Sequence, residues 1–341
     1  MAQMLIQHDA LGAHRAISDS FREIARELGQ NPSEFEILKF LKEHGFDKEY
    51  RYHLISNLAL ALTADMIRYL HEGLRAIQEC HFSIAFTLLR KPFKENLIFL
   101  AWLLGDEEDF LLRFSGNNYE TLNGLGEEQQ LKILSDAIAC TVTPSYFDAR
   151  VIREGIFSKQ QGDGLEPLWQ KSTHLITKQG LLLRTPDYSI NFIFEPADSE
   201  HYYDILYHWL PDLFLLASQI VPECMKKALG FNEPTYSHYL VTTIGYYEAL
   251  AHAESGAGIS EMLNSVFHSL LKCGRCGEQL LISDSNACRL YEIEHIQCEQ
   301  CGGDTQIPLY WLMRFGKMKA SRDGIRFGDI ELGSIDGLSA C

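Results

Sequence analysis

Apolar residues through the first part of the chain recur at three- and four-residue intervals, the spacing that gathers side chains on one face of an α-helix. The stretch "LISNLALALTADMIRYLHEGLRAI", 54–77, predicts one long helix, and "FSIAFTLLRKPFKENLIFLAWLL", 82–104, predicts another that Pro92 kinks or restarts. Upstream, "NPSEFEILKFLKEHGF", 31–46, reads as a punctuated helix. Asn31 is the expected N-cap, Pro32 stands at N1, Glu34 at N3, and Gly45 follows His44 at the C-terminus. "GDEEDFLLRF", 105–114, places acids in a first turn, as the helix dipole favours. Such neighbours are expected to pack antiparallel.

The pattern changes further on. Residues 116–180 are interrupted by polar, Gly-rich stretches that read as loops. In "GLLLRTPDYSINFIFEP", 180–196, Ser189, Asn191 and Ile193 alternate with Ile190, Phe192 and Phe194, which predicts a short strand or hairpin after the Thr185-Pro186-Asp187 turn. Helical spacing returns over 202–229, and "TTIGYYEALAHAESGAG" ends in a small-residue hinge. Ser260 is the expected cap of "EMLNSVFHSLLK", which leads into the first of two Cys-x-x-Cys motifs. The organisation expected is mainly α: a helical domain over 1–255 with one small β element, a hinge and connecting helix over 256–271, a cysteine-bearing β module over 272–310, and a basic-then-acidic tail over 311–341.

The cysteines change the picture most. Cys273 and Cys276 form one Cys-x-x-Cys pair, Cys298 and Cys301 the other, with 21 residues between them. A Cys-x-x-Cys turn brings two sulfurs to one ion, and four thiolates satisfy tetrahedral Zn²⁺. Glycine follows each pair, at Gly277 and at Gly302-Gly303, where the chain turns away with positive φ. Two alternating stretches flank a polar "SDSN" turn between the pairs, so strand, turn, strand is expected. Over 270–308 this arrangement resembles a zinc ribbon. The resemblance implies a structural zinc ion, because four protein thiolates leave no coordination position for water. Cys288 and His295 lie inside the module and read as packing or exposed-turn residues, since the two pairs already complete the ligand set. A redox Cys-x-x-Cys usually follows a strand and opens a helix, and neither pair has that context.

Charge narrows the partners. The chain carries 30 Lys+Arg against 46 Asp+Glu, a formal −16, which argues against a broad phosphate-coating surface. From Lys272 to Asp304 three basic residues face six acidic ones. The following segment differs: Arg314, Lys317, Lys319, Arg322 and Arg326 fall within 13 residues, with Phe315 and Phe327 interleaved, a pattern suited to phosphate contact and base stacking. The other reading of this segment is a solvated tail docked on acidic surface. A protein partner or self-association is expected through the module, with nucleic acid as a further candidate through 314–326. Nine cysteines without a secretory leader, and a longest apolar run of only "LIFLAWLL", lead to the expectation of a cytoplasmic protein without membrane spans.

Other motifs are weaker. "REIARELGQNPSEFEIL", 22–38, is similar to a helix-turn-helix core, but its reading helix would open with Glu34 and Glu36 facing phosphate. Arg75 and His81, in "RAIQECH", match the Arg–His spacing of the HEPN family of helical ribonucleases, although Ala76 stands where that family usually has a polar residue. That resemblance implies a metal-independent ribonuclease in which Arg75 stabilises phosphoryl charge and His81 acts as acid or base. The stretches "LLRKPFKENLIFLAWLL", "WQKSTHLITK" and "INFIFEP" resemble a group of uncharacterised bacterial helical proteins, some of them similar to HEPN-like or abortive-infection components of antiphage defence. The resemblance covers most of 50–225 and implies a helical fold more than an activity, with a component of antiphage defence as the candidate role. His174, in "STHLIT", is the histidine to test for an active site, its ordinary reading being a buried, satisfied side chain. Arg90, Lys91, Lys94 and Glu95 form a charged cluster whose ordinary reading is an exposed face, with an ion network or ligand clamp as alternatives. No phosphate-binding loop, nucleophile elbow or HExxH motif occurs. Two functions stand: a non-enzymatic zinc-dependent recognition protein, and a HEPN-like ribonuclease.

Overall fold

The computed structural model describes residues 22, 26, 33–115, 124–160, 164–178, 184–191, 199–229, 233–251, 258–315, 319–321 and 324–326. The fold is mainly α, and the chain divides into two compact units: 1–141 with 147–230, and 142–146 with 231–341.

The first unit is built around an apolar helix. α1 (Glu34–Glu43) opens at Ser33 rather than at the expected Asn31. The reason is a capping box: the Glu36 amide donates to Ser33 Oγ and the Ser33 amide to Glu36 Oε2, so two orphan donors are satisfied at once. Asn31 and Pro32 lie outside the described residues. α2 (Asp47–Gln78) runs for 32 residues and packs on α3 (Phe82–Lys91). Pro92 does not break the chain. It enters a single π turn, Pro92–Asn96, whose closing amide, Leu97 N–H, reaches back to the Pro92 carbonyl. α4 (Leu97–Gly105) follows directly and buries Leu97, Ile98, Leu100, Ala101, Trp102, Leu103 and Leu104. A helix apolar on every side must be surrounded, and α4 packs against α2, α6 (Glu127–Ile138) and α9 (Ser199–Leu229).

The remaining helices close this core. α5 (Glu107–Ser115) starts with Glu107, whose carboxylate accepts from Arg51 of α2 at 2.7 Å and from Lys227 of α9 at 2.9 Å. α7 (Ala149–Phe157) is capped by Asp148 and packs on α6 and on α8 (Leu165–Thr173). Gly155 of α7 allows a close approach: a Cβ there would stand 2.3 Å from the Trp209 ring of α9. The alternating stretch near 184–194 forms no strand over its described residues, 184–191. Two backbone bonds do cross to the preceding segment, Thr185 N–H to the Thr177 carbonyl at 3.0 Å and Asn191 N–H to the Leu175 carbonyl at 2.7 Å. But Asn191 Nδ2 donates to the His174 carbonyl at 2.8 Å and Thr185 Oγ1 accepts from the Thr177 amide at 2.8 Å, so side chains take other bonds that a ladder would need. Residues 192–194 lie outside the described set.

In the second unit, α10 (Glu233–Ala251) packs on α11 (Ile259–Val266), α12 (Ala287–Ile293) and α13 (Leu309–Phe315). α11 is not capped by Ser260. It begins after Gly258 at φ +66°, and the Glu248 carboxylate accepts from the Ile259 amide at 2.9 Å while also bonding the Tyr146 hydroxyl. Two short antiparallel pairs complete the unit: β1 (His295–Gln297) with β2 (Asp304–Gln306), and β3 (Lys319–Ser321) with β4 (Gly324–Arg326). Among the described residues no helix is long and apolar enough to cross a membrane.

Candidate metal centre

The two Cys-x-x-Cys motifs fold by the same local rule. In the first, the Gly277 amide bonds the Cys273 carbonyl at 2.9 Å, and the Cys273 amide bonds the Glu278 carbonyl at 2.8 Å. In the second, Gly302 bonds Cys298 at 2.9 Å, and Cys298 bonds Gly303 at 2.8 Å. Gly277 at φ +76° and Gly302 at φ +64° make the left-handed step that each turn requires. Each knuckle is flanked by its own antiparallel pairing, Lys272 with Gln279 and β1 with β2.

This differs from the expected strand, turn, strand between the knuckles. The first half after Cys276 pairs only through the isolated bridge at Gln279, and "ACRLYEI" is helix α12. Its buried residues are Ala287, Leu290 and Tyr291, an i, i+3, i+4 face that only a helix presents to one side. That face docks on α10, where Gly245 leaves room for the Tyr291 ring. Glu294, at φ +57°, then turns the chain into β1 and shares a 2.9 Å contact with His238 Nε2 of α10.

The knuckles bring four sulfurs together. The Sγ atoms of Cys273, Cys276, Cys298 and Cys301 all lie within 4.8 Å of one another, with Cys273–Cys301 at 3.6 Å and Cys276–Cys298 at 3.8 Å. Ligands at the usual zinc–sulfur distance of ~2.3 Å stand ~3.8 Å apart on a tetrahedron. The donor set therefore fits a metal ion such as zinc. Cys273 and Cys298 are buried and Cys276 is exposed, so the site lies at the surface with its inner half in the protein.

Electrostatics point the same way. Backbone N–H groups of Cys276 and Arg275 donate to Cys273 Sγ, and with Thr305 and Cys301 they bring its thiol down to about 6. Cys276 accepts from the Glu278 amide, yet its sulfur neighbours Cys301, Cys273 and Cys298 push it up to about 12. One thiolate forms readily here, whereas four in contact need a cation to offset their charge. Cys288 and His295 stand outside this cluster. His295 Nδ1 lies 2.8 Å from Asp304, which also receives Arg289 at 3.1 Å.

The other sequence candidates are scattered. Arg314 is exposed at the end of α13. Lys319 and Arg326 face each other in the β3–β4 register. Their side chains, with Lys317 and Arg322 altogether, lie outside the described residues. Arg75 and His81 converge: Arg75 Nε is 3.5 Å from Glu79 Oε1, and His81 Nδ1 is 3.4 Å from Glu79 Oε2. All three side chains are more than half exposed, at the end of α2 and the entry to α3. His174 is not a buried, satisfied histidine but an exposed residue at the C-terminus of α8. Of the helix-turn-helix stretch, Arg22 and Arg26 are helical and exposed, while Ala25 and Gly29 lie outside the described residues. The charged cluster at 90–95 is not a freely solvated face, because Arg90 pairs with Glu95 and Lys94 with the buried Glu166, a partner 72 residues away that local pattern does not reveal. No family model, no curated protein and no solved structure matches this chain.

Proposed function

We propose that the four cysteines hold a structural zinc ion and that the module it orders is a recognition surface for a protein partner. The complete set of four protein thiolates carries the reading: with all tetrahedral positions filled by the chain, the metal has none left to activate water. A groove of about 510 Å³ supports a protein partner over nucleic acid. Leu281, 58% exposed, and Ile296 give it apolar wall, and Glu278 and Glu299 line it with negative charge. That chemistry suits a basic segment with apolar anchors and repels phosphate. The alternative partner, nucleic acid, would meet the basic stretch at Arg314, Lys317, Lys319, Arg322 and Arg326.

The test is elemental analysis with nuclease-sensitive extraction on one fresh preparation, followed by capture of partners on the immobilised protein. About one zinc per chain, with a partner protein lost on Leu281→Asp and on Glu299→Lys, is the expected result. Absence of bound metal in protein purified without chelator refutes the zinc reading. Co-purifying RNA or DNA displaced by Arg314→Glu moves the recognition role to the basic stretch.

A second reading, a HEPN-like ribonuclease, is favoured by one observation: Arg75 and His81 share the carboxylate of Glu79. A phosphate in the place of that carboxylate would meet both side chains. RNA cleavage in the presence of EDTA, abolished by Arg75→Ala and by His81→Ala, is the outcome this reading requires. RNA left intact by the wild-type protein removes it.

A further inference from the structure

A cleft of about 630 Å³ opens in the first unit. It lies where the π turn meets α6, α7 and α8. Its volume falls in the range of small-molecule sites, and π turns recur at such sites because they re-aim side chains from a continuous helix. Four cations line it, Arg90, Lys94, Arg153 and Lys159, against three carboxylates, Glu95, Glu127 and Glu166.

The three ion pairs are not equivalent. Lys94 Nζ meets Glu166 at 2.5 Å, and the Glu166 side chain is 1% exposed. Its other oxygen accepts from Gln170 at 2.8 Å. This pair is committed to the floor. Arg90 meets its near neighbour Glu95 at 2.7 Å, both partly exposed. Arg153 is different: its side chain is 15% exposed, and its ion-pair partner, Glu127 at 2.9 Å, is 72% exposed. A solvated carboxylate holds a cation weakly. Arg153 Nε is buried and has no hydrogen-bond acceptor among the described residues, an open donor that native interiors rarely leave. Lys159, at the rim, has no ion pair among the described residues.

We infer that this cleft binds a small organic oxyanion, a phosphate monoester or a carboxylate on an apolar body. The oxyanion displaces Glu127 from Arg153, takes the open Nε–H together with an Nη–H in the bidentate geometry that guanidinium offers, and draws in Lys159. With Glu127 released to solvent, the four cations outnumber the two remaining carboxylates, Glu95 and Glu166. The first turn of α6 opens on the same rim, with Gly126 supplying no side-chain cap, so its amides add positive potential. Phe99, Phe157, Leu125 and Ile98 form the apolar wall for the body of the ligand. This site is independent of the metal centre and of the recognition reading.

The experiment is calorimetric titration and thermal shift of the full chain with phenyl phosphate, benzoate, inorganic phosphate and, as the neutral control, benzyl alcohol. At least one of the two aromatic oxyanions is expected to bind and raise the melting temperature, more strongly than inorganic phosphate, while benzyl alcohol does neither. Preference for phenyl phosphate identifies a phosphate ligand, and preference for benzoate a carboxylate. Arg153→Gln is expected to weaken binding about tenfold or more, the loss of a charge-assisted bond. Glu127→Gln, at an exposed position, is expected to tighten it several-fold by removing the competing carboxylate. Should Arg153→Gln fail to fold, Lys159→Gln at the rim replaces it, with a several-fold loss expected. The inference is overturned if the wild type binds neither aromatic oxyanion at millimolar concentration. It is equally overturned if Glu127→Gln weakens binding or leaves it unchanged.

Discussion

Gly245→Ala tests whether α12 is held by its docking on α10. A Cβ at position 245 would stand 2.3 Å from Cζ of Tyr291, 2.5 Å from Cε1 and 2.7 Å from Cε2. Ordinary carbon–carbon contact begins at ~3.5 Å, so the ring must retreat by roughly 1.2 Å. It has little room: Tyr291 is 6% exposed, and its hydroxyl shares a 2.9 Å hydrogen bond with Ser260. Overpacking of this kind costs ~1–3 kcal/mol, and breaking the Tyr291–Ser260 bond adds ~1 kcal/mol. Against this, Ala in place of Gly inside a helix gains ~1 kcal/mol. The net expectation is a loss of about 1–3 kcal/mol. Hydrogen exchange over residues 287–297 reads it locally, and a double-mutant cycle with Tyr291→Leu isolates the contact. In the Tyr291→Leu background the alanine should be neutral or stabilising, giving a coupling of ~2 kcal/mol or more. A Gly245→Ala protein as protected as wild type, with tyrosine still at 291, refutes the docking argument.

Three further outcomes are expected. If the four cysteines hold the proposed ion, removing it with a strong chelator, or substituting Cys298→Ser, should raise hydrogen exchange across the two knuckles, 272–279 and 295–306, by orders of magnitude before it does so over α12, while leaving the helices of the first unit protected, since short metal-bound modules draw their folding free energy from the ion. Gly155→Ala should destabilise the first unit by ~2 kcal/mol or more, because the added methyl meets the Trp209 ring at 2.3 Å; urea unfolding followed by tryptophan fluorescence measures it. Burial would raise the Glu107 carboxyl, but Lys227 and Arg51 outweigh it and hold the group below its usual value of 4.5. Its contribution is therefore present above that value and lost as pH falls through the lower folded pKa. With Arg51 and Lys227 each 45% exposed, Glu107→Gln should cost only ~1 kcal/mol at neutral pH and should flatten the acid limb of the stability profile between pH 5 and 3 (roughly, from the direction of the shift).

Much of the fold is readable from residue spacing, and the exceptions have physical causes. α4 is visible because eight apolar residues in a row, "LIFLAWLL", leave a helix no solvent face. The four-cysteine cluster is visible because ligand chemistry is local: each knuckle is closed by bonds within a few residues. α12 reads as strand from its alternation and is helix in the structure. Its seven residues are far below the length at which a helix stands alone, so the decision falls to tertiary contact, namely the Tyr291 ring against Gly245. Ser33 displaces Asn31 as a cap because its partner Glu36 answers it reciprocally. The cleft leaves no trace in the spacing. Arg90 and Glu95 are near neighbours, but Glu127, Arg153 and Glu166 come from three other helices, and only the fold brings them to one surface.

A chain with 46% hydrophobic residues does not need a metal to fold its helical core, yet the cysteine module does need something. Its strands β1 and β2 are three residues each, below the size at which a hairpin is stable in water. Its helix is seven residues long. Two anchors remain. One is the docking of α12 and α13 on α10, through Tyr291 beside Gly245 and the His238–Glu294 contact. The other is the ion proposed to join the two knuckles, which among the described residues share no pairing of strands with each other. The anchors would act on different parts: docking fixes α12, between the knuckles in sequence, whereas a metal bound by the four cysteines would fix the distance from Cys276 to Cys298 and hence the width of the groove lined by Glu278, Leu281 and Glu299. Losing the ion should therefore open the groove before it releases the helix. A partner that reads the groove would then dissociate on chelation at concentrations where α12 is still protected. Loss of both at one chelator concentration would mean that the ion holds the module as a single cooperative piece.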